Sequence, residues 1–132
     1  MSKKYLVTGA AGFIASQVCK KLLDQGDQVI GVDNLNDYYD VRLKNWRLNQ
    51  LNEHPNTQSF TFIEMDIEDQ SALWALFDSE VSFDAVFNLA ARAGVRYSMK
   101  NPHSYLSTNS KGNLNLLECM RGKGCKKFVL AS

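Results

Sequence analysis

The chain has 132 residues, long enough for one domain with a hydrophobic core and too short for two ordinary ones. Hydrophobic residues make up 45% and charged residues 22%, close to the averages for soluble globular proteins, which argues against a disordered or membrane class. A formal net charge of +1 with scattered Lys and Arg provides no field for nucleic acid or anionic lipid, so small ligands are the partners to look for.

Met1-Ser2-Lys3-Lys4 leads straight into a short apolar stretch, without the apolar core and cleavage site of a signal peptide. No apolar run approaches membrane-spanning length. Tyr5-Leu6-Val7 reads as a buried strand ending in the turn Thr8-Gly9. A helix follows, with Ile14, Val18 and Leu22 at helical spacing, Ala11 and Ala15 on the same face, and Gly26 as its C-terminal stop. Residues 28–32 form the second strand. The polar stretch 33–40 leads to an amphipathic helix carrying Val41, Leu43, Trp46 and Leu48. Residues 50–59, with Pro55, read as a surface connection.

Phe60-Thr61-Phe62-Ile63 is the third strand, residues 71–77 a short helix with Leu73 and Leu76 inward, and Ala85-Val86-Phe87 the fourth strand. Pro102 suits the first turn of a long helix running to about Arg121, with Leu106, Leu114, Leu117 and Met120 available for its buried side. Residues 127–131 are the fifth strand. Strands alternating with helices imply right-handed βαβ units, an α/β Rossmann-type parallel sheet in the order 3-2-1-4-5, and helices on both faces. No repeat or linker divides the chain, so one dinucleotide-binding domain over 1–132 is expected.

The chemistry begins at Thr8-Gly9-Ala10-Ala11-Gly12-Phe13-Ile14-Ala15. A phosphate needs a tight turn, close backbone approach and unpaired amides at a helix N-terminus, and glycines directly after a strand supply all three. Asp33, about 20 residues further on at the end of the second strand, is placed to accept the adenosine-ribose hydroxyls of NAD and to repel a 2′-phosphate. No Arg follows within the next few residues, so NAD is preferred to NADP. Cys19, Cys119 and Cys125 lack C-x-x-C pairing and His neighbours, and read as reduced, small apolar or near-surface residues. His54 and His103 read as solvated surface residues, and no metal is expected. Trp46 and Trp74 read as packing residues.

These residues resemble the extended short-chain dehydrogenase/reductase family, whose fingerprint is T-G-x-x-G-x-x-G, with Ala15 standing at the last glycine. The resemblance implies cofactor contacts from Gly9, Ala11, Gly12, Phe13, Ile14, Asp33 and Asn34. It implies adenine contacts from Asp66-Ile67 and a cofactor-lining fourth-strand motif in Asn88-Leu89-Ala90-Ala91, where Asn88 stands in place of the common His. It also implies that Asn109 helps order the active site. Two longer segments, Asp33-Asn34-Leu35-Asn36-Asp37-Tyr38-Tyr39-Asp40-Val41-Arg42-Leu43-Lys44 and Ala93-Gly94-Val95-Arg96-Tyr97-Ser98, resemble UDP-glucuronate 4-epimerases, with Arg92 where Gln is expected. Gly94, Val95 and Arg96 are the candidate substrate contacts, since ligands of open α/β sheets lie beyond the carboxyl ends of the strands.

The family mechanism so implied has a tyrosine remove the sugar 4-hydroxyl proton while NAD takes the C4 hydride, which returns to the opposite face of a rotated 4-keto sugar. Tyr5, Tyr38, Tyr39, Tyr97 and Tyr105 all lack a Lys four residues later. The Tyr-x-x-x-Lys pair is therefore expected beyond Ser132, no catalytic residue is assigned within the chain, and residues 1–132 alone are expected to be inactive. The expected setting is cytoplasmic, with a UDP-sugar as substrate. Self-association through the fifth-strand edge or a loosened margin is the structural consequence. A non-catalytic NAD-binding module and a related nucleotide-sugar dehydratase or decarboxylase remain the alternatives.

Overall fold

The computed structural model describes residues 3–35, 41–80, 82–90, 103 and 110–130. Among these, the chain runs β1 (Lys4–Thr8), α1 (Phe13–Asp24), β2 (Gln28–Asp33), α2 (Val41–Asn52), a 3-10 turn (Thr57–Ser59), β3 (Phe60–Glu64), α3 (Gln70–Ser79), β4 (Ala85–Asn88), α4 (Gly112–Lys123) and β5 (Phe128–Leu130). The five strands form one parallel sheet in the order β3-β2-β1-β4-β5. The expected order and alternation are therefore observed, with strand ends shifted by a residue or so.

Successive strand side chains point to opposite faces, and this period of two builds two cores. Leu6, Ile30, Val32 and Val86 meet Leu73, Leu76 and Phe77 of α3 and Leu116, Cys119 and Met120 of α4. Val7, Val29 and Phe60 on the other face meet Ala15, Cys19, Leu22 and Leu23 of α1 and Leu48 and Leu51 of α2. Both faces of the sheet are thus covered by helices, as a parallel sheet requires.

The helix boundaries have local causes. After α1, the Asp27 N–H bonds the Leu22 carbonyl at 3.1 Å and the Gly26 N–H bonds that of Leu23 at 3.0 Å. Gly26 sits at φ 86°, so it closes the helix in a left-handed cap that a side chain would strain. The Asp69 carboxylate caps α3 by accepting the Ala72 N–H at 3.1 Å, an interaction contributing about 1 kcal/mol.

Several inward faces differ from expectation. In α1, Ile14 points outward and Cys19 and Leu23 join Ala15 and Leu22 inside. In α2, Leu43 and Trp46 are exposed, while Lys44, Leu48 and Leu51 turn inward. In α4, Leu114 and Leu117 are exposed, and Leu116, Cys119 and Met120 are buried beside Asn115. Apolar periodicity cannot choose between neighbouring faces when both carry a Leu, and packing against α3 decides. Trp74 packs as expected, against the α3–α4 core. The proposed helix start at Pro102 and the inward Leu106 lie outside the described residues, as does Val41's side chain.

Candidate functional site

Parallel register aligns Thr8 with Val32 and with Asn88, so the carboxyl ends of β1, β2 and β4 lie in one row. The strand order reverses between β1 and β4. A crevice at such a switch point is where open α/β sheets bind ligands.

The loop from Gly9 to Gly12 leaves β1 here. Gly9 has φ 68°, and a Cβ on it would lie 2.8 Å from the Leu89 carbonyl oxygen and 2.9 Å from the Ala90 Cα. Only glycine meets both demands. The turn is closed by the Gly12 N–H bonding the Gly9 carbonyl at 2.8 Å, and held to β2 by the Ala10 N–H on the Val32 carbonyl at 3.0 Å. Gly12 is the N-cap of α1 and has no side chain to satisfy the first-turn amides, which leaves them to water or an anionic ligand. Phe13, 71% exposed, and Ile14 flank that helix start. Ala15, at the departing fingerprint position, is buried in the core between α1 and the sheet.

Asp33 ends β2 and is buried. Its Oδ2 accepts the Ala11 N–H at 3.1 Å; its Oδ1 accepts the Leu35 N–H at 2.7 Å and the Lys44 ammonium at 3.3 Å. Leu35 is held at φ 53°, a left-handed backbone that costs a bulky residue energy and that the Asp33 bond offsets. Beside it, Arg47 donates to the Ala11 carbonyl at 3.2 Å and stands 5.7 Å from the Phe13 ring centroid. α2 therefore holds both polar groups of Ala11, one through Asp33 and one directly.

On the β4 side, the Thr8 hydroxyl donates to Asn88 Oδ1 at 2.6 Å and accepts the N–H groups of Leu89 at 3.0 Å and Ala90 at 3.1 Å. One donor and two lone pairs are thus all used. Asn88 Nδ2 donates to Asn113 of α4. A neutral histidine also presents one acceptor and one donor, which is why Asn88 serves where the resembled family commonly has His. Asn115 Nδ2 donates to the Ile67 carbonyl at 2.9 Å, and Ile67 itself packs onto Gly112.

At the other end, Asn34, Glu64, Met65, Asp66, Asp69 and Ala72 line a polar cleft of about 320 Å³. Asp66 accepts the Glu68 N–H at 2.9 Å and faces the Asn34 amide at 3.5 Å. Carboxylates at this mouth suit a donor such as an exocyclic amino group and disfavour a phosphate.

Of the sequence-derived candidates, the structure gathers Gly9, Ala11, Gly12, Phe13, Ile14, Asp33, Asn34, Asp66, Ile67, Leu89 and Ala90 along the carboxyl ends of β1 to β4. Ala91, Gly94, Val95, Arg96 and Asn109 lie outside the described residues. Thr8 and Lys44 stand inside the quoted motifs without an assigned role, and Arg47, Asn113 and Asn115 were not singled out. The one signal for Lys44 and Arg47 is their spacing of one helical turn, which also reads as a solvated cationic stripe. His54 is no solvated residue: its side chain is 8% exposed and its Nε2 meets an Asp24 carboxylate oxygen at 2.6 Å, while its Nδ1 accepts the Asn56 N–H at 2.9 Å.

Of the free cysteines, Cys19 and Cys119 are buried. Burial pushes Cys19 up to about 12, and burial, then the charges of Asp78 and Glu118, pushes Cys119 up to about 11, so both stay protonated at neutral pH. Among the described residues, no group of His, Cys, Asp and Glu could hold a metal ion, and no helix is long and apolar enough to cross a membrane.

The fold and site have known counterparts. A family model described as GDP-mannose 4,6 dehydratase matches residues 6–132. A UDP-glucuronate 4-epimerase of Thermodesulfobacterium geofontis is 54% identical over 128 residues, covering 97% of this chain and 38% of that protein. UDP-glucuronate 4-epimerase 4 of Arabidopsis thaliana is 50% identical over 113 residues, covering 86% and 25%. Among solved structures, a UDP-glucose-4-epimerase from Stenotrophomonas maltophila, with bound NAD and formylated UDP-arabinopyranose, superposes with a TM-score of 0.84 at 32% identity, covering 98% of this chain and 37% of that one. A UDP-glucose 4-epimerase from Thermotoga maritima with UDP-glucose gives 0.82 at 37% identity, with the same coverage. The chain thus spans well under half the length of the relatives it matches.

Proposed function

The chain belongs to the GDP-mannose 4,6 dehydratase family, and from that premise we propose that residues 1–132 are the NAD-binding portion of a cytoplasmic nucleotide-sugar 4-epimerase. Its substrate is a UDP-hexuronate such as UDP-glucuronate, converted through a 4-keto sugar. The observation that carries this reading is the Asp33 carboxylate, fixed at the end of β2 and bonded to the Ala11 N–H of an uncapped glycine loop.

The site fits an extended dinucleotide in its order of chemistry. Asn34, Asp66 and Ile67 receive adenine at the acidic cleft, Asp33 takes the ribose, and Gly9, Ala11, Gly12, Phe13 and Ile14 cradle the pyrophosphate at the first turn of α1. Leu89, Ala90 and Ala91 line the nicotinamide side, and Asn109 orders the catalytic groups. Gly94, Val95 and Arg96 meet the sugar nucleotide, Arg96 offering its planar fork to an anionic group. When bound, NAD accepts and returns the hydride at the sugar C4. The hexuronate preference is favoured by the Thermodesulfobacterium geofontis relative. The description of the family model favours a nucleotide-sugar 4,6-dehydratase as second reading.

The test uses protein from the complete reading frame, incubated with UDP-glucuronate and NAD. Conversion to UDP-galacturonate, a product of equal mass, is expected. A product lighter by one water would establish the dehydratase instead, and no conversion of any UDP-hexuronate by a protein that binds NAD would sink the substrate assignment. Charge-assisted hydrogen bonds contribute about 1.5 to 3 kcal/mol, so Asp33→Ala should weaken NAD binding about ten- to a hundredfold by titration calorimetry.

A further inference from the structure

We propose that the cleft between α1 and α2 is a ligand site distinct from the dinucleotide crevice, and that it takes a small planar aromatic anion. The proposal goes beyond the dinucleotide reading and does not depend on it.

The two helices are tied together at both ends. Near the start of α1, Arg47 donates to the Ala11 carbonyl at 3.2 Å and stands 5.7 Å from the Phe13 ring centroid. At the end of α1, His54 Nε2 meets an Asp24 carboxylate oxygen at 2.6 Å, and Asn56 Nδ2 donates to the Leu23 carbonyl at 2.7 Å. Between these ties lies a cavity of about 220 Å³, with Gln17 and Lys20 of α1 on one wall and Trp46, Arg47, Gln50 and Leu51 of α2 on the other. Residues three or four apart share a helix face, which is how each wall presents several side chains at once. Walls fixed by ties at both ends lower the ordering cost that a ligand must meet.

The chemistry of the walls selects the ligand. Trp46 is 57% exposed, whereas Trp74 packs into the core. An indole at the wall of a cavity offers a flat apolar face for a ring, with its N–H as a donor, and buried Leu51 adds apolar surface beside it. Lys20 and Arg47 bring two cations, and no carboxylate lines the cavity. Asp24 pairs with Lys20 and with His54 from outside it. Two cations against that one carboxylate leave a positive excess among the described residues, which attracts an anion and disfavours a cation. The amides of Gln17 and Gln50 supply neutral donors beside them. Size sets the upper limit: common ligand pockets run from about 300 to 1,000 Å³, so a cavity of about 220 Å³ holds one ring with its anionic group and excludes a second dinucleotide.

Phenyl phosphate is the probe, added to protein from the complete reading frame that carries 5-fluorotryptophan, with NAD and UDP in excess to occupy the other sites. The fluorine resonance lost in Trp46→Phe identifies Trp46, and it should shift saturably with phenyl phosphate. Titration calorimetry should then show affinity about tenfold weaker in Trp46→Ala, which removes the stacking face, and about tenfold weaker in Lys20→Glu, which reverses a wall charge. Both positions are exposed and the Lys20–Asp24 pair is a surface one, so both variants should fold. A Trp46 resonance unmoved by phenyl phosphate would overturn the proposal, as would unchanged affinity in both variants. Phenol binding as tightly would reduce the cleft to an apolar patch, and inorganic phosphate binding as tightly would reduce it to a pair of surface cations; either result overturns it. The Trp46 signal is local, so the test reads the same if the protein binds no dinucleotide.

Discussion

The two halves of the sheet use similar apolar strands and finish them differently. On the β1–β2 side, Val7 and Val29 are sealed under α1 and α2, and the strand ends are locked by the bonds among Ala11, Asp33, Lys44 and Arg47. On the β4–β5 side, Val129 and Leu130 of β5 and Leu114 and Leu117 of α4 remain exposed among the described residues. Apolar composition creates the demand for burial, but whether a given Leu is buried depends on which surface arrives to cover it.

The largest expected effect breaks the sealed half. Gly9→Ala places a methyl group against Leu89 and Ala90 at a left-handed φ and should destabilise the protein by about 3 kcal/mol or more in urea unfolding. Gly26→Ala has a similar φ but nothing within 4 Å, so it should cost only about 1 to 2 kcal/mol. Equal losses would show that close approach at Gly9 is unimportant.

A second pair sharpens the contrast across the halves. Leu73, fully buried, should lose about 2 to 5 kcal/mol on change to Ala. Leu117, 45% exposed, should lose under about 0.5 kcal/mol. A large loss at Leu117 would mean that something covers α4 in solution.

The smallest effect is acidic. The hydrogen bond from His54, then that from Lys20, holds the Asp24 carboxyl below its usual value of 3.8. A carboxyl depressed on folding contributes stability that is fully present above the unfolded value and is lost as pH falls through the folded one. The loss therefore comes below pH 3.8, and Asp24→Asn should flatten the acid limb of a stability–pH curve there. An unaltered limb would show that the pair is energetically silent, as many exposed pairs are.

How far the sequence could be read follows from where each interaction lies along the chain. Gly9, Gly12, Asp33 and the five strands are governed by local demands: turn geometry, a period of two and a strand end. Asp66 and Asn88 were legible only through family resemblance, since nothing in their immediate neighbours distinguishes them. Lys44 and Arg47 were illegible, because a cation on an amphipathic helix looks solvated until the fold brings the Asp33 carboxylate beside Lys44 and the Ala11 carbonyl beside Arg47. His54 was misread for the same reason, its partner Asp24 lying 30 residues earlier.

By itself, then, the sequence determined the order of strands and helices, the glycine loop and the acidic residue that ends β2, because these answer to backbone sterics and short-range periodicity. Only the tertiary structure decided which face of each helix turns inward, which carboxylate Lys44 neutralises and how Thr8 and Asn88 close the crevice. Those choices depend on contacts between segments far apart in the chain, where burial and charge pairing act on distances in space that residue spacing does not encode.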